Sequence, residues 1–176
     1  MENQQQPTKK FALNYGLYLG LALILLGVIL YAMGKTYDRD WYTQVLSIII
    51  TGTFIYLGIK EFKKSNNGIL SLSQGLKTGV GIALISAVIY VLYTVIFVQF
   101  IEPDFIENIT EMQKQQFLEN PNMTDEMIEQ MGENTRKYFW AFTIGGILIF
   151  SIFIGFVISL IASLIMKKTD EEITSI

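Results

Sequence analysis

The chain has 176 residues, enough for one domain of ordinary size, but its composition is not that of a soluble domain. Hydrophobic residues make up 51% of it and charged residues only 16%, whereas soluble domains carry about a quarter charged residues. The net charge is −3, and the absence of cysteine and histidine excludes disulfides, Cys/His zinc sites and catalytic triads that need an imidazole.

Four stretches are long and apolar enough to cross a membrane, whose hydrocarbon core needs about 20 apolar residues in a helix. They cover residues 11–34, 41–59, 78–101 and 138–166, and none contains a charged residue. The first has the flanks of a cleaved signal peptide, but its apolar stretch exceeds the roughly 7–15 residues typical of such peptides. We therefore predict an all-α fold, an integral membrane four-helix bundle formed by a single membrane domain of residues 1–176.

The distribution of lysine and arginine predicts how the chain is threaded through the membrane. Eight lysines flank the spans on one side, among them the cluster Lys60, Lys63 and Lys64, against five basic residues on the other. Because cytoplasmic flanks are enriched in positive charge, both termini are predicted to be cytoplasmic. Trp41 and Trp140 lie among aromatic residues at the opposite interface and are predicted to anchor it.

Residues 68–77 precede the third span and are predicted to form an amphipathic entry at the cytoplasmic face. Ser71 and Gln74 have the spacing of a capping box, so the helix should begin near Leu72, before the apolar stretch. The entry can lie in the headgroup layer while Lys77 extends outward as a membrane anchor. Contact between Lys77 and a lipid phosphate is the alternative, and anchoring is favoured.

Residues 102–137, between the third and fourth spans, are the only sizeable segment outside the spans and carry nine acids against three bases. Recurring apolar residues predict a helix over about 103–119, which the sequence around Pro121 ends. A second helix should follow with Thr124 as its N-cap. We therefore predict an extracytoplasmic, acidic helical hairpin.

The second helix of this hairpin raises two questions. Gly132 and Asn134 favour a break before the fourth span over one continuous helix. Its methionines and acids suit a basic partner, but the favoured interpretation is that the apolar residues of the two helices pack together and cap the bundle. The candidate partner surface comprises Met123, Met127, Met131, Glu126 and Glu129.

Small residues indicate where the spans pack, because helices in lipid gain little from apolar contact and associate where their backbones can approach closely. Eight such residues recur at four-residue spacing on three spans: Gly16, Gly20, Gly75, Gly79, Ser151, Gly155, Ser159 and Ser163. The spacing predicts packing faces. Packing within the chain is favoured over a seam between two copies.

The spans carry no acid, arginine or histidine, whereas ion-coupled transporters and proton relays place such groups at mid-membrane. We expect neither catalysis nor a cofactor, and an acidic chain has no electrostatic footprint for nucleic acid. The sequence favours a non-enzymatic scaffold or accessory subunit of a membrane complex, whose partners are the lipid bilayer and either another membrane protein or a second copy. The alternative is a small transporter or oligomeric channel lined by hydroxyl groups, among them those of Thr51 and Thr53.

Four short motifs occur in a characteristic order, at residues 15–20 (YGLYLG), 58–64 (GIKEFKK), 72–79 (LSQGLKTG) and 101–105 (IEPDF). With this order and spacing, the chain resembles the bacterial membrane-protein family called domain of unknown function 4199 over residues 11–168. The resemblance implies a bacterial inner-membrane protein that crosses the membrane four times and carries an acidic helical insert. It implies no activity and no catalytic residues.

Overall fold

The computed structural model describes residues 8–38, 40–118 and 122–168. The regular secondary structure of these residues is helical, with one isolated β-bridge and no β-strand. The helices are α1 (Thr8–Ala32), α2 (Trp41–Ser65), α3 (Leu72–Ile96), α4 (Phe105–Leu118) and α5 (Asp125–Met166). A π-helical segment, Phe97–Ile101, continues α3. The all-α prediction is confirmed for the described residues.

Four of the described helices are long and apolar enough to cross a membrane: α1, α2, α3 with its π-helical continuation, and α5. A helix of 25 residues is about 37 Å long, more than the roughly 30 Å of the hydrocarbon core. The helices also extend beyond the predicted apolar stretches. For example, α2 continues past residue 59 to Ser65 and so includes the lysine cluster that follows the second span.

The starts of α3 and α5 agree with the predictions, which were based on residues close together in the sequence. The backbone N–H of Gln74 donates to Ser71 Oγ at 3.2 Å, and the N–H of Ser71 donates to Gln74 Oε1 at 2.9 Å, which is the predicted capping box. At the start of α5, the backbone N–H of Met127 donates to Thr124 Oγ1 at 3.3 Å. These bonds satisfy N–H groups that have no partner within the helix.

The predicted break before the fourth span is wrong, because α5 continues without interruption for 42 residues. Gly132 lies where α5 approaches α4: a Cβ there would overlap Lys114 Cε and lie 3.3 Å from Thr110 Cγ2. The glycine therefore serves close helix approach and not a turn, and Asn134 remains an exposed helical residue. At about 63 Å, α5 is roughly twice as long as the hydrocarbon core is thick, so part of it extends beyond any span.

Contacts within the chain divide it into two compact units, of residues 1–90 with 148–176 (unit 1) and residues 91–147 (unit 2). The buried core of unit 1 draws on α1, α2, α3, α5 and the α2–α3 connection; it consists of Ala12, Leu19, Ile55, Ile59, Phe62, Leu70, Ile82, Ala83 and Ala162. The single-domain prediction for residues 1–176 stays a prediction.

Leu70 belongs to this core, although the predicted amphipathic entry assigned it to the headgroup layer. Its backbone N–H donates to Lys168 O at 3.0 Å, and the N–H of Lys168 donates to Leu70 O at 3.1 Å. This two-bond bridge holds the α2–α3 connection against the end of α5, and Leu70 is fully buried. The helix of the entry begins at Leu72, as the capping box predicted.

Unit 2 contains the π-helical segment, α4 and the first half of α5 around an aromatic core. Its members are Phe97, Val98 and Phe139, with Tyr93, Phe105, Ile106 and Trp140 packed against them. The ring of Phe105 lies 5.9 Å from that of Phe97 and 6.1 Å from that of Phe139, both edge to face. The π turn closes with the N–H of Glu102 donating to Phe97 O at 2.8 Å.

Candidate functional site

Small residues of α3 and α5 face each other in an antiparallel register within unit 1. Three pairs meet at four-residue steps: Gly75 with Ser163, Gly79 with Ser159, and Ala83 with Gly155. A Cβ added to any of the three glycines would overlap the side chain opposite it, so the two backbones are about as close as helices can come. Ser151, four residues before Gly155 on α5, is half-buried. The structure thus brings five of the six predicted packing residues of these two helices together within one chain.

The two serine hydroxyls of this seam are sealed from solvent. Ser159 and Ser163 are both 0% exposed. Ser159 Oγ donates back to Gly155 O in its own helix, whereas Ser163 Oγ has no hydrogen-bond partner among the described residues. Neither hydroxyl can therefore line a water-filled path in this conformation.

The predicted packing glycines of α1 face α3 in a parallel register. A Cβ at Gly16 would lie 2.7 Å from Ile85 Cβ, and a Cβ at Gly20 would lie 2.9 Å from Ile89 Cγ2. On α2, a Cβ at Gly58 would overlap Ile82 Cδ1. Helix α3 therefore contacts α1, α2 and α5 within unit 1.

The lysine cluster of α2 divides into residues with different surroundings. Lys63 Nζ donates to Met166 O at 2.7 Å and so caps the last carbonyl of α5. This partner, 103 residues away in the chain, could not be predicted from local spacing. Lys64 lies 3.9 Å from Glu61 on its own helix, and Lys60 is exposed. Lys77, in the second turn of α3, is exposed as well.

The two tryptophans predicted as anchors also differ. Trp41 is 75% exposed at the start of α2, with its ring edge to face with that of Tyr42. Trp140 is half-buried and packs on Phe139 in the core of unit 2, with ring centroids 5.3 Å apart. Trp140 therefore contributes to the packing of unit 2, and its role as an anchor stays a prediction.

In unit 2, Arg136 of α5 holds α4 through a two-pronged ion pair. Its Nε donates to Glu107 Oε2 at 2.9 Å and its Nη2 donates to Glu107 Oε1 at 2.7 Å; Nη2 also lies 3.7 Å from Glu111. Two parallel bonds between guanidinium and carboxylate fix geometry better than a single contact does. Hydrogen bonding from Arg136 lowers the pKa of Glu107 below its ordinary value of 4.5.

A second ion pair joins the same helices further from the apolar part of α5. Lys114 Nζ donates to Glu129 Oε2 at 2.7 Å and lies 3.6 Å from Glu111 Oε1. This one hydrogen bond, donated by Lys114, lowers the pKa of Glu129 and raises the pKa of Lys114. Glu111 and Lys114 are three residues apart on one helix face, a spacing that could have suggested their contact from the sequence, but not the bond from Lys114 to Glu129.

One face of α5 in unit 2 is buried and another stays exposed. Ile128 is 6% exposed and turns toward the interior, whereas Met127 is 46% and Met131 37% exposed. Glu126 is exposed too, and Met123 is half-buried. Of the predicted partner surface, the two helical methionines and Glu126 therefore remain accessible, while Glu129 is held by Lys114.

The described residues contain no group of three or more Asp or Glu side chains placed to hold a metal ion. Five charged side chains of unit 2 form ion pairs within or between α4 and α5: Glu107, Glu111, Lys114, Glu129 and Arg136. What the geometry offers chemically is therefore a rigid helix pair with an exposed apolar and acidic face, together with a tightly packed apolar unit that ends in lysines.

Comparison with known proteins gives one finding. The family described as "Protein of unknown function (DUF4199)" matches residues 14–168, which include most of both units. Searches of curated proteins and of solved structures find no significant match to the chain. The chain belongs to this family.

Proposed function

We propose that this DUF4199 protein is a non-enzymatic protein of the bacterial inner membrane that acts as a scaffold or accessory subunit of a membrane complex. Its partner surface would be the exposed face of α5 in unit 2, formed by Met127, Met131, Glu126 and Glu133. The observation that carries this proposal is that Met127 and Met131 stay exposed although Ile128, between them in sequence, is buried. Flexible, polarisable methionine side chains are suited to adaptable protein contacts.

The positions around α5 support this surface. At about 100° per residue, Met127 and Met131 form one stripe, and Glu126 and Glu133, seven residues apart, form another on the side away from Ile128. All four side chains are exposed. The face therefore combines an apolar stripe with an acidic one, and a partner with apolar and basic side chains would complement it.

The ion pairs support the proposal because they occupy some acidic side chains within the helix pair and leave others to contact a partner. Arg136 and Lys114 are engaged by Glu107, Glu111 and Glu129 within the helix pair. These contacts rigidify α4 against α5, so little conformational entropy is lost when a partner binds.

The proposal includes a threading in which both termini are cytoplasmic and α4 with the start of α5 is extracytoplasmic. Eight lysines flank the spans on the side of the termini, in keeping with the enrichment of positive charge in cytoplasmic flanks. The partner would then be the extracytoplasmic part of another membrane protein or a second copy of this chain.

The experiment is site-specific photocrosslinking in native membranes. A photoreactive residue replaces Met127 or, as a matched control, Ile149, an exposed apolar residue in the span part of α5. We expect Met127 to yield a discrete protein adduct that the double substitution Glu126→Lys and Glu133→Lys abolishes, and Ile149 to yield lipid adducts. If Met127 gives no protein adduct, or if the adduct is indifferent to the charge reversal, the proposed partner surface is wrong.

The alternative, a small transporter or oligomeric channel, has less support. Its candidate lining includes Ser159 and Ser163, which are fully buried, and Thr51 Oγ1 donates back to Ser47 O at 2.8 Å in its own helix. Solute flux into liposomes that contain the purified chain would favour the alternative. Absence of flux together with the photocrosslinked adduct would favour the scaffold.

A further inference from the structure

Packing in unit 1 brings four helix ends together at one pole, which we call the lysine pole. The ring of Phe11, near the start of α1, lies 5.6 Å from that of Phe62, near the end of α2. Gly75, near the start of α3, faces Ser163, near the end of α5. Eight lysines lie on these ends: Lys9, Lys10, Lys60, Lys63, Lys64, Lys77, Lys167 and Lys168.

Little negative charge opposes these lysines. Glu61 is the only acidic residue at the lysine pole among the described residues, and its carboxylate lies 3.9 Å from Lys64 Nζ. Six of the eight lysines are exposed, and the other two are half-buried. The described part of the pole thus carries seven net positive charges, and four acids lie outside it in the sequence, at residues 2 and 170–172. A group of cations this dense attracts anions within a Debye length, which is about 10 Å in 0.1 M salt.

Exposed apolar side chains adjoin these lysines on the same helices. Leu13 lies three residues after Lys10, and Leu57 lies three residues before Lys60. Ile165, two residues before Lys167, is 77% exposed. A ligand that complements this pole must combine a negatively charged head with an apolar chain, which describes an anionic phospholipid and not a soluble polyanion.

We propose that the lysine pole binds the phosphate-bearing headgroups of anionic phospholipids, with their acyl chains against the adjoining apolar helix faces. Lys60 and Lys77 are two of the exposed lysines at this pole that no carboxylate holds in the described structure. Lys77 lies about 7 Å along α3 from its first residue, and its long side chain can extend to the headgroup layer. Lys63 has a positioning role, since its bond to Met166 O joins the ends of α2 and α5.

The test measures lipid binding to the full-length protein by native mass spectrometry from detergent, with phosphatidylglycerol and phosphatidylcholine of identical chains. We expect phosphatidylglycerol to bind preferentially. The double substitution Lys60→Gln and Lys77→Gln should reduce this preference by up to about fivefold per lysine, because each lysine near an anionic surface contributes on the order of 1 kcal/mol. The matched control, Lys35→Gln with Lys137→Gln, removes the same charge from outside the pole and should leave the preference unchanged.

Three results would overturn the proposal. The first is equal binding of the two lipids to the unsubstituted protein. The second is an equal loss of preference in the two double variants at unchanged melting temperature, which would indicate a net-charge effect. The third is complete displacement of phosphatidylglycerol by millimolar inorganic phosphate, which would indicate that the pole binds free phosphate and that the apolar chains contribute nothing.

Discussion

The antiparallel seam between α3 and α5 leads to a quantitative prediction for Gly79→Ala. Alanine in place of glycine in a helix interior stabilises a protein by about 0.5–1 kcal/mol. At Gly79, however, the added Cβ would overlap Ser159 Oγ and lie 2.7 Å from Ser159 Cβ and 3.0 Å from Ile55 Cγ2. Inserting a methyl group into a well-packed site costs about 1–3 kcal/mol. The two effects oppose each other, so Gly79→Ala is expected to destabilise the protein by up to about 2.5 kcal/mol.

Gly52→Ala is the matched control, because it makes the same change within unit 1 where the nearest atom, Ile158 Cδ1, would lie 3.9 Å from the new Cβ. The difference between the two variants removes the helix-propensity effect and should amount to about 1–3 kcal/mol. The measurement is the free energy of unfolding from titration of the micelle-bound protein with sodium dodecyl sulfate, followed by circular dichroism.

A double-mutant cycle tests whether the cost comes from this contact. Adding Ser159→Gly removes the side chain that the new Cβ would overlap. The double variant should therefore be at least about 1 kcal/mol more stable than the sum of the single effects indicates. Equal stability of Gly79→Ala and Gly52→Ala, or strict additivity in the cycle, would refute the close approach of α3 and α5.

Three further predictions concern the helix starts, the helix pair and the threading. Ser71→Ala should cost about 0.5–2 kcal/mol in the same unfolding assay through loss of the capping box. Ser73→Ala, two residues later at an exposed position, is the control and should cost less. Equal losses would contradict the capping role. The pKa of Glu107 is lowered from 4.5, so its ion pair with α5 is present at neutral pH and is lost as the pH falls through the lowered pKa. The distance between spin labels on α4 and α5 should therefore stay constant in mildly acidic solution and lengthen only in strongly acidic solution. Lengthening above about pH 6 would count against the pair. Cysteines introduced at Asn66 and Asn122 should be labelled from opposite sides of intact cells, and labelling from one side only would overturn the threading.

Features set by neighbours along the chain were predictable. The capping box needs only Ser71 and Gln74, and α4 was expected over residues 103–119 and is observed over Phe105–Leu118. Gly132 shows the limit of such reasoning. A glycine in a polar helix suggests a break when only the sequence is considered, but here it allows α5 to approach α4, and that requirement arises from a residue on another helix.

The candidate site was predictable only in part, for a related reason. The acidic character of residues 102–137 follows from composition. The favoured interpretation packed the apolar residues of the second helix against the first, but the structure buries Ile128 and leaves Met127 and Met131 exposed. The assignment of Glu129 to Lys114, which removes it from the partner surface, depends on the rotation of α5 about its axis relative to α4. Rotation by one residue position, about 100°, would exchange the buried face for the exposed one.

The amino-acid sequence by itself determined that the protein is helical, that four of its segments are apolar enough to span a membrane, and that small residues recur where helices can approach. These properties follow from side-chain chemistry and from spacing along one chain. Only the tertiary structure decided which faces meet, that α3 contacts α1, α2 and α5, and that lysines from four helix ends form a single pole. The physical reason is that helix–helix pairing depends on complementary shape and charge between residues far apart in sequence, such as Gly75 with Ser163 or Glu107 with Arg136.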